Sequence, residues 1–95
     1  MLEILLFVTK GCTSSQYMEE RVEQAILDLD VADKVRVDIV YIEGNKKLAK
    51  QYDVTDAPAL ICCNTKDELH YVASPARIRA FISINLNNYL YVSKD

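Results

Sequence analysis

The chain has 95 residues, of which 51% are hydrophobic and 26% charged, and a net charge of -3. Those values fit one globular domain over residues 1–95 and exclude a disordered chain. The acidic balance leaves no electrostatic footprint for nucleic acid, so none is expected as a partner, and Lys46, Lys47 and Lys50 read as a solvated helix face. No apolar run approaches a membrane span, and residues 4–8 have Glu3 beside them and no cationic flank of a signal peptide. No membrane partner and a cytoplasmic location are therefore expected. Three cysteines, an odd number, then suggest reduced thiols. Cys12, Cys62, Cys63 and His70 lack paired metal-ligand spacing, so neither a metal nor a resident cofactor is expected.

In chain order, residues 2–8 are almost continuously apolar, as in a central strand covered on both faces. Thr9-Lys10-Gly11 ends that strand. Over residues 14–29, Met18, Val22, Ala25, Ile26 and Leu29 recur at helical spacing, and Thr13 with Gln16 has the pattern of a capping box. Residues 35–42 are rich in β-branched side chains and read as a second strand, parallel to the first through a right-handed crossover. Gly44-Asn45 punctuates, and a short helix over residues 46–52 places Leu48 and Tyr52 on one face. Residues 59–63 read as a third strand, residues 64–67 as a turn, and residues 69–73 as a fourth strand. Ser74-Pro75 opens a last helix with Ile78, Phe81, Ile82 and Leu86 on its buried stripe. Residues 89–92 fit either a continued helix or an extended run.

The order βαβαββα, with Tyr52-Asp53-Val54-Thr55-Asp56-Ala57-Pro58-Ala59-Leu60 leading into the third strand, resembles the thioredoxin superfamily in its small, glutaredoxin-sized form. The resemblance covers essentially the whole chain. It implies an α/β fold with a four-stranded mixed sheet flanked by three helices, and a cis-proline at Pro58 facing the redox site. It also implies that the backbone of Ala57 pairs with an extended substrate, as an unpaired peptide edge allows.

Cys12 lies at the junction of the first strand and helix, where free amides and the helix dipole favour a thiolate. Thr13, Ser14 and Ser15 add hydroxyl groups, and Lys10 adds a positive charge if it folds toward the sulfur. The run Cys12-Thr13-Ser14-Ser15 resembles a Cys-x-x-Ser monothiol site, with Ser15 where a resolving cysteine would stand. That resemblance implies thiol–disulfide exchange through Cys12 with a protein or small-molecule disulfide. Release then needs glutathione or another low-molecular-weight thiol as co-substrate. Lys10, Thr13, Ser15, Ala57 and Pro58 are the expected substrate-binding residues.

A second register stays open. Matched without gaps to the strand-to-cysteine loop of redoxins, Thr13 takes the first-cysteine position and Gln16 the second, and Met18, Val22 and Ile26 fall on the buried phase of the helix. A second functional class stays open with it, a non-catalytic interaction module. Leu48-Ala49 through Pro58-Ala59-Leu60, in a chain without a cysteine pair, resembles the KaiB proteins in frame. Cys62 and Cys63, adjacent on a strand, point to opposite faces and read as packing residues. His70 reads as a structural or exposed side chain. The sequence leaves the oligomeric state open.

Overall fold

The nearly unbroken apolar run at the start of the chain, interrupted only by the exposed Glu3, has a physical cause. In the computed structural model, which describes residues 1–93 and the side chains through residue 91, Leu2–Val8 forms strand β1 in the middle of the sheet. Leu2, Ile4, Leu6 and Val8 enter one core, whereas Phe7 and the half-buried Leu5 enter another on the opposite face. A strand buried on both faces has no polar side to alternate with. Lys94 and Asp95, at the end of the tail, lie outside the described residues.

Helix α1 spans Thr13–Leu29. Its buried stripe, Met18, Val22 and Ala25 with half-buried Ile26 and Leu29, packs on β1 and on the last helix. Asp30 ends it in a left-handed conformation, and the next amide, that of Val31, reaches back to the Ile26 carbonyl at 3.2 Å. Strand β2, Val35–Tyr41, then pairs parallel to β1 in the register Leu2 with Val35 through Val8 with Tyr41.

The sequence pattern runs β2 on to residue 42, but the chain turns there. Ile42–Gly44 forms a 3-10 turn, and the Asn45 side chain donates to the Tyr41 carbonyl at 2.9 Å, closing the strand end. Helix α2, Lys46–Gln51, follows and buries Ala49 against Phe7 and Val40. Strand β3, Ala59–Cys62, lies antiparallel to β1, and β4, Glu68–Leu69, lies antiparallel to β3. The sheet order is β2-β1-β3-β4.

β4 is shorter than the expected 69–73 and begins one residue earlier. Asp67 fixes the start, its carboxylate accepting the Glu68 amide at 2.9 Å and its carbonyl accepting the Cys62 amide at 2.9 Å. Beyond Leu69 the backbone leaves the sheet for α1. There the Ala73 carbonyl accepts Arg21 at 2.7 Å and the Ala73 amide faces the Met18 sulfur at 3.5 Å.

Helix α3, Pro75–Ser93, starts as its sequence indicates, the Ser74 hydroxyl accepting the Arg77 amide at 3.2 Å. Ile78, Phe81, Ile82 and Leu86 are buried. Residues 89–92, which fit either period, are helical, and the N-terminal ammonium donates to the Tyr89 hydroxyl at 2.9 Å. Asn85 interrupts the apolar stripe at 1% exposure. Its amide nitrogen donates to Asp67 Oδ2 at 2.9 Å and to the Phe81 carbonyl at 2.8 Å, while its oxygen accepts the Thr65 hydroxyl. Every polar atom of a buried amide needs such a partner, and here the partners tie the β3–β4 turn to α3.

Candidate functional site

Four residues, Thr9 to Cys12, carry the chain from β1 to α1. Gly11 takes a left-handed backbone (φ 72°), where a side chain would be strained, and this reversal sets Cys12 at the head of the helix. Cys12, not Thr13, is the N-cap: its carbonyl accepts the Gln16 amide at 3.2 Å, so Thr13 is already helical. The Thr13–Gln16 capping box is therefore absent, because the cap position falls one residue earlier, at Cys12. A thiol is a poor capping group, and Cys12 makes no side-chain capping bond.

The groups around Cys12 nevertheless favour its anion. Its pKa is lowered, first by the Ser15 hydroxyl, then by the Ser15 amide, with further contributions from the Thr9 hydroxyl and the Ser14 amide; a partial loss of solvent opposes them. These are the free donors of a helix N-terminus plus two hydroxyls. Ser15 is held for this position. It is 2% exposed, and its oxygen accepts the Thr9 amide at 3.3 Å, leaving its own proton to give.

Two expected members are not among the groups that lower the Cys12 pKa. Lys10 brings no positive charge to the sulfur: its amide donates to Glu43 Oε2 at 2.9 Å, and its ammonium acts on the same carboxylate. That hydrogen bond, then the Glu43 amide and the Lys10 charge, lowers the Glu43 pKa. The 3-10 turn that the sequence pattern missed is what delivers Glu43 to this loop. Thr13 is exposed on the first turn and is not among the donors to Cys12. Thr9 is a donor that sequence reasoning missed, and its only signal was its place as the first residue after β1.

The Ala57–Pro58 peptide bond is cis. Phe7 pairs with Ala59, so Pro58 stands one register step on, level with Val8 at the end of β1 that leads to Cys12. Pro58 is buried and Ala57 half-buried. Among the described residues, neither backbone group of Ala57 has a hydrogen-bond partner.

Cys62 is buried and pairs in register with Ile4, four residues back along β1 from Val8, or about 13 Å at strand rise. Cys63 is half-buried and accepts the Tyr52 hydroxyl at 3.7 Å. His70 is exposed and lies 3.5 Å from the Glu68 carboxylate. Among the described residues no cluster of three His, Cys, Asp or Glu side chains is placed to hold a metal ion, and no helix is long and apolar enough to cross a membrane.

No protein-family model and no curated protein matches the sequence. Solved structures match its fold. Thioredoxin 1 from Thermosipho africanus aligns at 14% identity with a TM-score of 0.69, covering 98% of this chain and 99% of that one. A thioredoxin variant from Halobacterium salinarum aligns at 19% identity and 0.75, over 90% of this chain and 74% of that one. Thioredoxin-2 of a malaria parasite, described as a component of its protein secretion machinery, aligns at 18% identity and 0.73, over 88% of this chain and 82% of that one. The chain therefore has the thioredoxin-like α/β fold, a four-stranded mixed sheet with three helices.

Proposed function

We propose that the protein performs monothiol thiol–disulfide exchange through Cys12. The observation that carries this reading is the convergence of donors from Thr9, Ser14 and Ser15 on a partly exposed thiol at the head of α1, lowering its pKa. Only the thiolate is nucleophilic, so a lowered pKa raises the reactive fraction at neutral pH.

In the first step the Cys12 thiolate attacks one sulfur of a disulfide, R–S–S–R′. A Cys12–S–S–R bond forms, the substrate bond breaks, and R′ leaves as a thiolate that takes a proton from water. Ser15 supplies a hydroxyl where a second thiol would be needed to close an internal disulfide, so the mixed disulfide persists. A small thiol, glutathione or a like compound, then attacks the R sulfur, forms its own disulfide with R, and returns Cys12 as thiolate. The bond count is conserved in each step, and the electrons come from the small thiol. In a reducing, cytoplasmic setting that co-substrate is abundant.

The backbone of Ala57, without a partner among the described residues, supports a role for this edge in holding an extended disulfide substrate. Thr13 and Lys10 flank Cys12 in the chain and complete the expected substrate surface. The test is incubation with glutathione disulfide followed by intact-mass measurement. The wild type gains one glutathionyl group that a small thiol removes, and Cys12→Ser gains none at that position.

One observation favours a second reading, an interaction module without catalysis. Lys10 serves Glu43 and not the sulfur, so Cys12 depends on neutral donors alone. On that reading Cys12 would remain unmodified in the same experiment.

A further inference from the structure

We propose that β2 is a self-association edge, through which two copies of the chain pair antiparallel about a two-fold axis at Val37. The proposal is independent of the chemistry at Cys12. β2 ends the sheet order, so among the described residues one side of Val35–Tyr41 has no neighbouring strand. The Lys34 carbonyl accepts the Leu2 amide at 2.9 Å, which sets the parity of the parallel ladder. Residues 36, 38 and 40 turn their backbone groups toward β1, and the odd-numbered residues turn theirs outward.

The outward row is blunted only at its ends. The Val35 amide is held by the Val31 carbonyl at 3.1 Å, and the Tyr41 carbonyl by Asn45 at 2.9 Å. Between them, the outward amides and carbonyls of Val37 and Ile39 have no partner among the described residues. A free strand edge of this kind is a template for another strand. Antiparallel pairing at Val37 joins the two Val37 residues by reciprocal hydrogen bonds and lets each Ile39 amide donate to the partner's Val35 carbonyl, the carbonyl that remains free.

Charge selects a second copy and this register. Arg36 and Asp38 lie on the same face, 3.4 Å apart, with side chains 61% and 48% exposed. With the axis at Val37, each Arg36 stands opposite the partner's Asp38, making an alternating set of four charges. Moving the axis to Asp38 sets that carboxylate against its own copy, and moving it to Arg36 sets two guanidinium groups together. Directly opposed like charges are destabilising and opposed unlike charges favourable. On the other face, Val35 meets the partner's Ile39 and Val37 meets itself, covering Ile39, which is 38% exposed in one copy.

The groove between β2 and α1, about 280 Å³ with Val22, Ile26, Val37 and Ile39 at its base, opens onto the same seam. Glu19 and Glu23 rim it and oppose the approach of a second acidic helix. Their charges stand at the helix surface, where physiological salt screens separations beyond about 8 Å. An edge-to-edge pair buries little area, so the dimer is of the weak, transient class.

Sedimentation equilibrium at sub-millimolar concentration tests the register. The wild type reaches twice the monomer mass in a concentration-dependent manner. Arg36→Asp alone and Asp38→Arg alone each weaken self-association by about tenfold or more, since each sets like charges across the seam. An equimolar mixture of the two single variants associates as a heterodimer, and the double exchange Arg36→Asp/Asp38→Arg dimerises as the wild type does. A wild type that stays monomeric, single variants that associate undiminished, a mixture no better than its components, or a double exchange that stays monomeric would each overturn the proposal. The double exchange retains the net charge and decides the matter even if a single variant fails to fold.

Discussion

The hydroxyl of Ser15 is the largest single cause of the lowered pKa of Cys12, three residues before it. The same oxygen accepts the Thr9 amide at 3.3 Å, so one buried side chain both closes the β1–α1 loop and serves the thiol. Ser15→Ala removes both functions. It should raise the Cys12 pKa and leave the Thr9 amide without its acceptor, lowering stability by about 1–2 kcal/mol. Alkylation rate against pH reads the first effect and urea unfolding the second. A variant with unchanged pKa would remove Ser15 from the site.

Ser15→Cys should convert the site to a dithiol. Positions 12 and 15 bracket the first turn of α1, a spacing compatible with the roughly 4.4–6.8 Å between Cα atoms that a disulfide requires. Under mild oxidation the variant should lose two titratable thiols relative to its reduced form and stop accumulating the glutathione adduct, because the new thiol resolves it. Persistence of the adduct at wild-type levels would mean that residue 15 does not reach the sulfur.

Asn85 is the buried polar residue with most to lose. Asn85→Ala strips the Asp67 carboxylate and the Thr65 hydroxyl of a common partner and leaves a cavity beside α3. The expected loss is about 2–4 kcal/mol in urea unfolding, larger than a neutral surface change because partners are left unpaired in part-buried surroundings. A loss below about 0.5 kcal/mol would show that water replaces the amide without cost.

These residues also show where sequence pattern stops. β1 and α1 were legible because burial on two faces and on one face leave different periods, and Ser74-Pro75 marked the start of α3 by local chemistry alone. Asn85 was not legible, since a helix position reads as polar or apolar but does not reveal a partner eighteen residues back in a turn. The N-cap was misread for a related reason. Threonine is the better capping residue, yet Gly11's backbone reversal places Cys12 at the cap, and tertiary geometry outweighs a preference of about 1 kcal/mol. The early end of β4 follows from Arg21 and Met18 holding Ala73 against α1, contacts across more than fifty residues of chain that no local period encodes.

Tyr52 provides a pH-dependent test of the core on the α2 side. Its hydroxyl donates to Cys63 Sγ at 3.7 Å, and this bond, followed by burial and the nearby charges of Cys63 and Glu3, raises its pKa above the ordinary phenol value. The protonated phenol is the favoured form. Its contribution is present below the unfolded pKa of about 10 and is lost as pH rises through the folded value. Near-ultraviolet titration should show a phenol that ionises above the ordinary value, and Tyr52→Phe should abolish that late phase. A titration curve left unchanged by Tyr52→Phe in its late phase would contradict the bond to Cys63.

The proposed exchange chemistry requires Cys12 to react as a thiolate. The most direct measurement is the pH dependence of iodoacetamide alkylation in Cys62→Ala/Cys63→Ala, in which Cys12 is the remaining cysteine. Because the lowered pKa favours the anion, the rate should reach its half-maximum below the free-cysteine value of about 8.5. The same protein should form a reversible adduct with glutathione disulfide. A half-maximum at or above about 8.5, with no adduct formed, would rule out Cys12 as the exchanging thiol.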